Sequence, residues 1–299
     1  MMKKNKNEMM HVNQYLPNIN VCTLQTKDCA LTYQHKISPH PKREEFALHT
    51  HDSYEIFIFI KGNMTFVVEG ATYPLHPYDV IILRDNEMHD IYPTGDADYE
   101  RIVINVTRDF FETNHCPMYQ TIFLNRPAGK NNLIPGNLVS VSEVADILPR
   151  IEKYAKEKTV SPDTVVKCAM VEILHAFNHM QPAADADAKQ NSTVRKVIDY
   201  INQNLDGDLS LSHLSDLFFV SKYHLCRVFR EHTGYTISSY ITNKRLLTVR
   251  DLCRNGESIS TACVLAGFSG YSSFYKAYTK AYGCAPKIGL LSAHKKHPF

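Results

Sequence analysis

The stretches SKYHLCRVFREHTG (221–234) and SGYSSFYKAYTKAYG (269–283) decide the fold of the last third of this 299-residue chain. Apolar and glycine positions pair between them at a constant separation of 49 residues: Leu225 with Phe274, Phe229 with Tyr278, and Gly234 with Gly283. Upstream of the two stretches, Phe219 and Phe268 pair at the same separation. A two-copy repeat of this size predicts that one helical unit is used twice.

The first copy contains two short helical patterns separated by a break. LSLSHLSDLFFV (209–220) predicts a short helix with one leucine face: Leu211, Leu214 and Leu217. Ser221 is a suitable N-cap for the next helix, because its hydroxyl can accept a hydrogen bond from an unpaired amide of the first turn. Gly234 can end that helix in a left-handed conformation. Two short helices joined by a tight turn predict a helix-turn-helix unit.

The second helix of each copy has an apolar face and an outward face. Helical spacing predicts that the inward residues are Leu225, Val228 and Phe229 in the first copy and Phe274, Ala277 and Tyr278 in the second. The outward residues are Tyr223, Cys226, Arg227 and Arg230, and then Tyr271, Ser272, Tyr275, Lys276 and Thr279. One continuous helix pattern over 236–256 connects the copies and would fix the distance between their outward faces. It carries four cations: Lys244, Arg245, Arg250 and Arg254.

Charge separates this helical part from the rest of the chain. Residues 193–299 contain 14 Lys and Arg against 7 Asp and Glu, whereas residues 1–192 contain 19 against 24. A basic end joined to an acidic front indicates that only the C-terminal part meets a polyanion.

The segment 195–291 resembles the DNA-binding domain of the AraC family. The resemblance rests on SKYHLCRVFREHTGYTISSYITNKRL (221–246), on ISTACVLAGFSGYSSFYKAYTKAYGCAP (259–286) and on the late Gly-x-x-Pro within it. It implies two helix-turn-helix units that insert their second helices into successive major-groove segments on one face of double-stranded DNA. The expected partners are an operator or promoter and RNA polymerase.

The resemblance also assigns roles by position. The residues expected to read bases are Tyr223, Cys226, Arg227, Tyr271, Ser272, Tyr275 and Lys276. The residues expected to contact phosphates are Ser221, Lys222, Arg230 and Lys280. Arg227 is the strongest of these predictions, because a guanidinium can donate two hydrogen bonds to guanine O6 and N7, worth about 1–3 kcal/mol of discrimination. Departures from the family pattern are the short Cys226, Gly270 at the second unit's N-cap, and KIGL (287–290) after the proline, where Tyr-Arg is commoner.

Residues 29–107 show short apolar runs separated by Gly, Pro, Asn and Asp. The runs are FALHTHD (46–52), YEIFIFIKG (54–62), MTFVVEG (64–70), ATYPLHPYD (71–79), VIILRD (80–85) and YERIVINV (99–106). Closely spaced runs of this kind predict an antiparallel β-barrel or sandwich. The region is similar to the cupin-like sensor domain that often precedes this DNA-binding unit.

The first cupin motif is matched by HTHDSYEIFIFIKG (49–62), which supplies His49, His51 and Glu55. The second motif should be Pro-x-Gly-x-x-His, and here RDNEMH (84–89) keeps only His89. His49, His51 and Glu55 share the parity of one strand face, so they can line the interior together. Three imidazoles and a carboxylate would suit Fe(II), Mn(II), Ni(II) or Zn(II). Because the second motif is altered, we expect an effector pocket, with no metal and no other cofactor.

Two helical patterns and a polar segment follow the strands. SEVADILPRIEKYAKEK (142–158) and SPDTVVKCAMVEILHAFNHM (161–180) are amphipathic, and the second has one apolar stripe: Val166, Met170, Ile173, Phe177 and Met180. The stripe fits either packing on the strands or a homodimer through the helices in 142–180. QPAADADAKQNS (181–192) is typical of a linker.

These patterns predict an α+β two-domain chain. Residues 1–20 form a flexible tail, 21–180 a cupin-like barrel with two following helices for sensing and dimerisation, 181–192 a linker, and 193–299 an all-α domain of two helix-turn-helix motifs joined by a long helix. The eight scattered cysteines are expected to be reduced. With no signal peptide and no apolar run near the ~20 residues of a membrane span, we expect a cytoplasmic protein.

The predicted function is transcription regulation and not catalysis. An activator that responds to a small, polar, sugar-like effector in the barrel is the first hypothesis. A metal-dependent cupin enzyme fused to a DNA-binding domain and a ligand-independent regulator are the alternatives.

Overall fold

The computed structural model describes residues 18–46, 49–127, 129–157, 162–180 and 192–286. Antiparallel strands occupy the first part of the chain and helices the last part, as the α+β prediction requires. The first eight strands are β1 (Ile19–Gln25), β2 (Leu31–Ser38), β3 (Tyr54–Lys61), β4 (Met64–Val68), β5 (Ala71–Pro74), β6 (Val80–Leu83), β7 (His89–Pro93) and β8 (Tyr99–Val106). A two-residue strand, β9 (Leu133–Ile134), follows later.

The strands form two sheets instead of one continuous barrel within the described residues. The larger sheet has the order β1-β2-β8-β3-β6-β9, and the smaller one has the order β5-β4-β7. A core of aromatic and aliphatic side chains lies between them, with Phe57 and Phe59 from the larger sheet against Phe66 and Tyr73 from the smaller one. The antiparallel sheet domain is therefore confirmed as a sandwich.

β3 lies near the centre of the larger sheet, between β8 and β6. Because side chains alternate along a strand, Tyr54, Ile56 and Ile58 enter one core and Phe57 and Phe59 enter the other. Burial on both faces explains why this strand is a continuous apolar run.

Among the described residues after β8, the first domain has five α-helices: α1 (Arg108–Thr113), α2 (Thr121–Leu124), α3 (Gly136–Val139), α4 (Val144–Lys156) and α5 (Pro162–His179). Only α4 and α5 were predicted, because elements of four to six residues are too short to show helical periodicity. α4 is attached to the larger sheet by Glu152, whose carboxylate lies 2.9 Å from the Tyr33 hydroxyl and 2.6 Å from His35 Nδ1.

The apolar stripe of α5 packs on the sensor's own core. Val166, Met170, Ile173 and Phe177 are buried there, and Met180 is partly buried against them. Of the two roles that fitted the stripe, intramolecular packing is the one observed. A dimer contact through α4 and α5 would have to use their outer faces.

Two sequence predictions at the front of the chain need correction. β1 begins at Ile19, so the last residues of the predicted tail belong to a strand, while residues 1–17 lie outside the described part. FALHTHD is not a strand over its described residues, which contribute only an isolated bridge between His49 and His89. A short 3₁₀ turn (Arg43–Glu45) precedes it. Of the predicted linker 181–192, residues 181–191 lie outside the described residues, and Ser192 is the first residue of a helix.

Over residues 192–286, the C-terminal domain contains six helices: α6 (Ser192–Gln203), α7 (Leu211–Leu217), α8 (Lys222–Thr233), α9 (Ile237–Arg254), α10 (Ile259–Leu265) and α11 (Tyr271–Tyr282). α7 with α8 and α10 with α11 are the two predicted helix-turn-helix units, and α9 is the predicted connector. No helix in the described ranges has both the length and the apolar character that a bilayer crossing requires. All eight cysteines are free.

Local signals in the first unit act as the sequence indicated. The Ser221 hydroxyl accepts a hydrogen bond from the His224 amide at 3.2 Å, and Gly234 ends α8 at φ +76°. Leu225, Val228 and Phe229 are buried. Of the three leucines predicted to share one side of α7, Leu214 is buried and Leu217, at the last position of the helix, is exposed.

Candidate functional sites

The outer face of α8 is exposed and concave. Tyr223, Cys226, Arg227 and Arg230 line a depression of about 510 Å³ together with Glu231 and Thr236. Tyr223 is 80% exposed, so its ring has almost no intramolecular packing. The face opposite is fixed in the core of the first unit, and the predicted base-reading residues therefore share one accessible surface.

Arg227 is held within this surface by its own helix. Its guanidinium donates to the Glu231 carboxylate at 2.9 Å, an i,i+4 pair in which both side chains are about half exposed. An exposed pair of this kind is worth only about 0.3–0.5 kcal/mol, so it orients the guanidinium without holding it strongly. Arg227 can exchange this carboxylate for another acceptor.

Three of the residues predicted to contact phosphate belong to α8 or its cap, and the fourth belongs to α11. Ser221 caps α8, so its oxygen already accepts one hydrogen bond while its O–H can still donate. Lys222 and Arg230 are exposed on α8, and Lys280 is exposed in the last turn of α11.

The second unit presents a different surface. Tyr271, Ser272, Tyr275 and Lys276 are all exposed on α11, and the rings of Tyr271 and Tyr275 lie 6.0 Å apart between centroids. Gly270 is the N-cap residue, at φ +154° and ψ 176°, and no side chain caps this helix. The predicted base-reading residues of α11 therefore form a face with two aromatic rings and a single cation, Lys276.

A cleft of about 800 Å³ connects the two units, with Cys226 from α8 on one side and Val264 and Ser269 on the other. The first turn of α9 also lines it, and there Thr236 accepts a hydrogen bond from the Ser239 amide at 3.1 Å. Sequence reasoning predicted Cys226 but missed Thr236, Val264 and Ser269. Thr236 was a usable signal for the start of α9, because threonine is a favoured N-cap residue.

The histidines of the sensor meet where the two sheets meet. His49, before β3, and His89, in β7, exchange backbone hydrogen bonds of 3.0 and 3.1 Å. One ligand atom from each of His49, His51 and His89 lies within 4.8 Å of the others. His49 is exposed, His51 is half-buried and His89 is buried, so the cluster opens to solvent on one side.

Glu55 lies beneath this cluster and is almost fully buried. Its Oε2 is 2.8 Å from His51 Nε2 and 3.9 Å from His89 Nε2. Burial would raise the pKa of Glu55, but the neighbouring imidazoles, His51 first, lower it to about 2. Burial would likewise lower the pKa of His51, but the charge of Glu55 and the hydrogen bond to it raise that pKa. The two shifts have one cause, the close contact between the His51 ring and the Glu55 carboxylate.

His89 differs from His51 in its protonation. Burial, opposed by the charge of Glu55, lowers the pKa of His89 to about 4, so this imidazole is neutral near pH 7. Its Nδ1 lies 2.9 Å from the Glu87 carbonyl, and a neutral ring must donate there. Nε2 then carries a lone pair, and it has no hydrogen-bond partner within the described residues.

The altered second motif still makes the expected turn. Asn86 takes the position where the motif has glycine, and it adopts φ +67°. Asn is among the residues that tolerate the left-handed region. The turn brings His89 to the cluster, so all four predicted pocket residues are brought together: His49, His51, Glu55 and His89.

Two family models match the chain. One is described as an AraC-like ligand binding domain and matches residues 33–116, and the other is described as a helix-turn-helix domain and matches residues 214–288. The first covers most of the strands and the second covers both helix-turn-helix units.

Curated proteins match most of the chain at low identity. The XylDLEGF operon transcriptional activator 1 of Pseudomonas putida is 24% identical over 258 residues, which are 81% of this chain and 76% of that protein. The HTH-type transcriptional activator RhaS of Pectobacterium carotovorum subsp. carotovorum is 22% identical over 256 residues, covering 84% and 90% of the two chains.

Among solved structures, ToxT from Vibrio cholerae O395 covers 88% of this chain with 99% of its own, at 14% identity and a TM-score of 0.37. The family models match a ligand-binding domain and a DNA-binding domain in the order in which the fold contains them. The chain belongs to the AraC family of DNA-binding transcriptional regulators.

Proposed function

We propose that this chain is a transcription activator that reads DNA with the outer faces of α8 and α11 and senses a small polar molecule at the histidine cluster. The observation that carries the DNA-reading half is the exposed face of α8. Tyr223, Cys226 and Arg227 lie there side by side, while Leu225, Val228 and Phe229 of the same helix are buried in the core.

The residues proposed to read bases and those proposed to contact phosphates should affect DNA binding differently. Arg227 on α8 and Lys276 on α11 would donate to base edges, with Tyr223, Cys226, Tyr271, Ser272 and Tyr275 beside them. Ser221, Lys222, Arg230 and Lys280 would contact phosphates and set the register. Phosphate contacts contribute to binding on any sequence, whereas base contacts distinguish sequences.

Substitution of Arg227 tests this assignment. The full chain would first select its preferred duplex from a random library. Arg227→Ala should then weaken binding to that duplex by about 1–3 kcal/mol and weaken binding to a scrambled duplex much less. Titration of both duplexes at one fixed salt concentration measures the difference.

The chain offers a control cation in Lys61. Its side chain is more than half exposed and lies 3.4 Å from the Glu100 carboxylate, but it belongs to β3 of the sensor and to none of the helices proposed to contact DNA or a second subunit. Lys61→Ala should leave both affinities unchanged. Equal weakening of both duplexes by Arg227→Ala would make Arg227 a phosphate contact and would contradict its base-reading role.

The sensing half rests on one unpaired atom of the cluster. His89 Nε2 is buried and has no hydrogen-bond partner within the described residues. Buried polar atoms are normally satisfied, so this nitrogen favours a bound molecule that supplies a hydrogen-bond donor. The hydroxyl groups of a sugar-like effector are such donors.

A metal ion is the second candidate for the cluster, because three imidazole nitrogens lie within 4.8 Å of one another. Neutral imidazole suits zinc, copper, iron and nickel. Metal analysis of the purified protein and thermal shifts with polar metabolites separate the two candidates. Stoichiometric metal with turnover of a small substrate would instead favour the cupin-enzyme alternative. No shift with any small molecule would favour a ligand-independent regulator.

Assembly and contacts with the transcription machinery complete the proposal. A homodimer would use the outer faces of α4 and α5, since the inner stripe of α5 is buried. RNA polymerase would be the partner at the promoter. Sedimentation of the full chain tests the first of these, and transcription with purified polymerase tests the second.

A further inference from the structure

The sensor and the DNA-binding domain are joined at α9 by two groups of polar contacts. In the first, Glu69 at the tip of the β4–β5 hairpin accepts hydrogen bonds from the Tyr240 hydroxyl and from Lys244. The Glu69 side chain is fully buried, and Lys244 is 11% exposed. The next residue, Gly70, lies against Ile198 of α6.

The second group lies at the C-terminal end of α9. Asp52 forms ion pairs with both Arg250 and Arg254, the latter at 2.5 Å between Oδ2 and Nη2. Asn86 accepts a hydrogen bond from Arg250 and donates one to Asp251 at 2.5 Å. The Arg250 side chain is 13% exposed and Asp52 is 24% exposed, so solvent screens this pair less than it screens a surface pair.

This second group is continuous with the histidine cluster. Asp52 directly follows His51, whose ring pairs with Glu55. The His51 carbonyl also accepts a hydrogen bond of 3.2 Å from the Asn86 amide. Asn86 in turn begins the short segment that leads to His89. Each of the two loops therefore carries a cluster histidine and a contact to α9 within three positions.

α9 connects these contacts to the second helix-turn-helix unit, because it packs in the core of that unit. Leu246 and Val249, on the same C-terminal half of the helix, belong to the core that holds α10 and α11. A change in the ion pair between Asp52 and Arg250 therefore acts on α9, which packs directly against α10 and α11.

We propose that Asp52 is a positioning residue that couples the histidine cluster to α9. A molecule bound at the cluster would change the ion pairs between Asp52 and α9, and with them the position of the second helix-turn-helix unit. This inference rests on the proposed sensing function. A molecule that separates His51 from Glu55 moves the backbone at 51, and Asp52 cannot keep both of its ion pairs when that backbone moves. Such a molecule has different affinities for the two arrangements, which is the requirement for coupling.

Hydrogen exchange of the α9 amides over 248–254 tests the coupling in the full chain without any ligand. His51→Gln, which removes the ionic pair with Glu55, should speed exchange there by about fivefold or more. His76→Gln is the matched control, since His76 is an exposed histidine that lies 3.4 Å from the Asp79 carboxylate in the same domain. It should leave α9 unchanged.

Asp52 decides the outcome. Asp52→Asn should itself speed exchange, and His51→Gln added to it should change the rates by less than about twofold. Asp52→Glu, which keeps the carboxylate, should restore most of the response. Arg254→Gln removes one partner of Asp52 on α9, so it should also reduce the effect of His51→Gln on exchange of the α9 amides. An equal response to His51→Gln with and without Asp52, or none in the otherwise native chain, would overturn the inference.

Zinc ion alone, used as a probe of the cluster, separates this inference from the proposed function. Calorimetry measures its binding, and the same amides measure the response. Zinc should bind both the native chain and Asp52→Asn but should change α9 exchange only in the native chain. Zinc that binds and leaves α9 unchanged in the native chain would overturn the coupling. Absence of zinc binding would contradict the metal candidate alone, because the His51→Gln result decides the coupling by itself.

Discussion

The two helix-turn-helix units are copies of one motif, but they are attached to the rest of the molecule in different ways. The core of the first unit includes α6 and Met88, a residue of the sensor. The core of the second unit is built only from described residues of α9 and beyond, between Leu246 and Cys284. The first unit is therefore an extension of the sensor, whereas the second depends on α9 for its position.

This difference shows how one fold can serve two purposes in one chain. A fixed first unit gives the protein a constant anchor on DNA. A second unit whose apolar core is shared with α9 can have its position changed by contacts at that helix, such as those of Asp52 and Asn86.

The largest expected effect compares the two cores. Phe229 and Phe274 lie on the inward faces of α8 and α11, one in each core, and are both fully buried. Phe229→Ala and Phe274→Ala should each cost about 3–5 kcal/mol, because each leaves a cavity in a packed core. Phe229→Ala should loosen the first unit together with the sensor hairpin at Glu69, whereas Phe274→Ala should loosen the second unit alone.

Hydrogen exchange resolved along the chain checks this prediction. The amides of β4 and β5 are the informative ones, since they lie in the sensor but next to the first unit. Faster exchange in these strands after Phe274→Ala, or no change in them after Phe229→Ala, would contradict the difference in attachment.

A smaller effect distinguishes the starts of the two recognition helices. Ser221 caps α8 with its side chain, and Ser221→Ala should cost about 1 kcal/mol. Gly270 starts α11 at φ +154° and ψ 176°, a region almost restricted to glycine, with no atom within 4 Å of the position of a Cβ. Gly270→Ala should therefore cost about 1–3 kcal/mol through backbone strain and not through a clash.

Chemical denaturation of the two variants measures these costs. A fall in stability for Ser221→Ala that Ser221→Asp restores would support the cap, since Asp is also a good N-cap residue. A neutral Gly270→Ala would show that α11 starts in another conformation in solution.

Local features of this fold could be predicted from the sequence. The cap at Ser221, the left-handed Gly234 and the inward faces of α8 and α11 each depend on a few neighbouring residues, so their patterns are visible in the chain. The same is true of the cluster, because His49, His51 and Glu55 lie within seven consecutive residues.

Contacts between distant segments could not be predicted. Lys244, Arg250 and Arg254 were interpreted only as cations of a connector, and their partners Glu69 and Asp52 lie more than 170 residues away. A cation on a helix does not indicate by itself which carboxylate will meet it. Leu217 shows the same limit, since its spacing fits the inward face although the fold leaves it exposed.

Footprinting with hydroxyl radicals on the selected duplex tests the central claim most directly, namely that the two units read successive segments of one DNA face. The full chain should protect two segments on that face, about 34 Å apart, which is one helical turn. Arg227→Ala should weaken protection of one segment and Lys276→Ala that of the other. A single protected segment, or loss of the same segment in both variants, would contradict the claim.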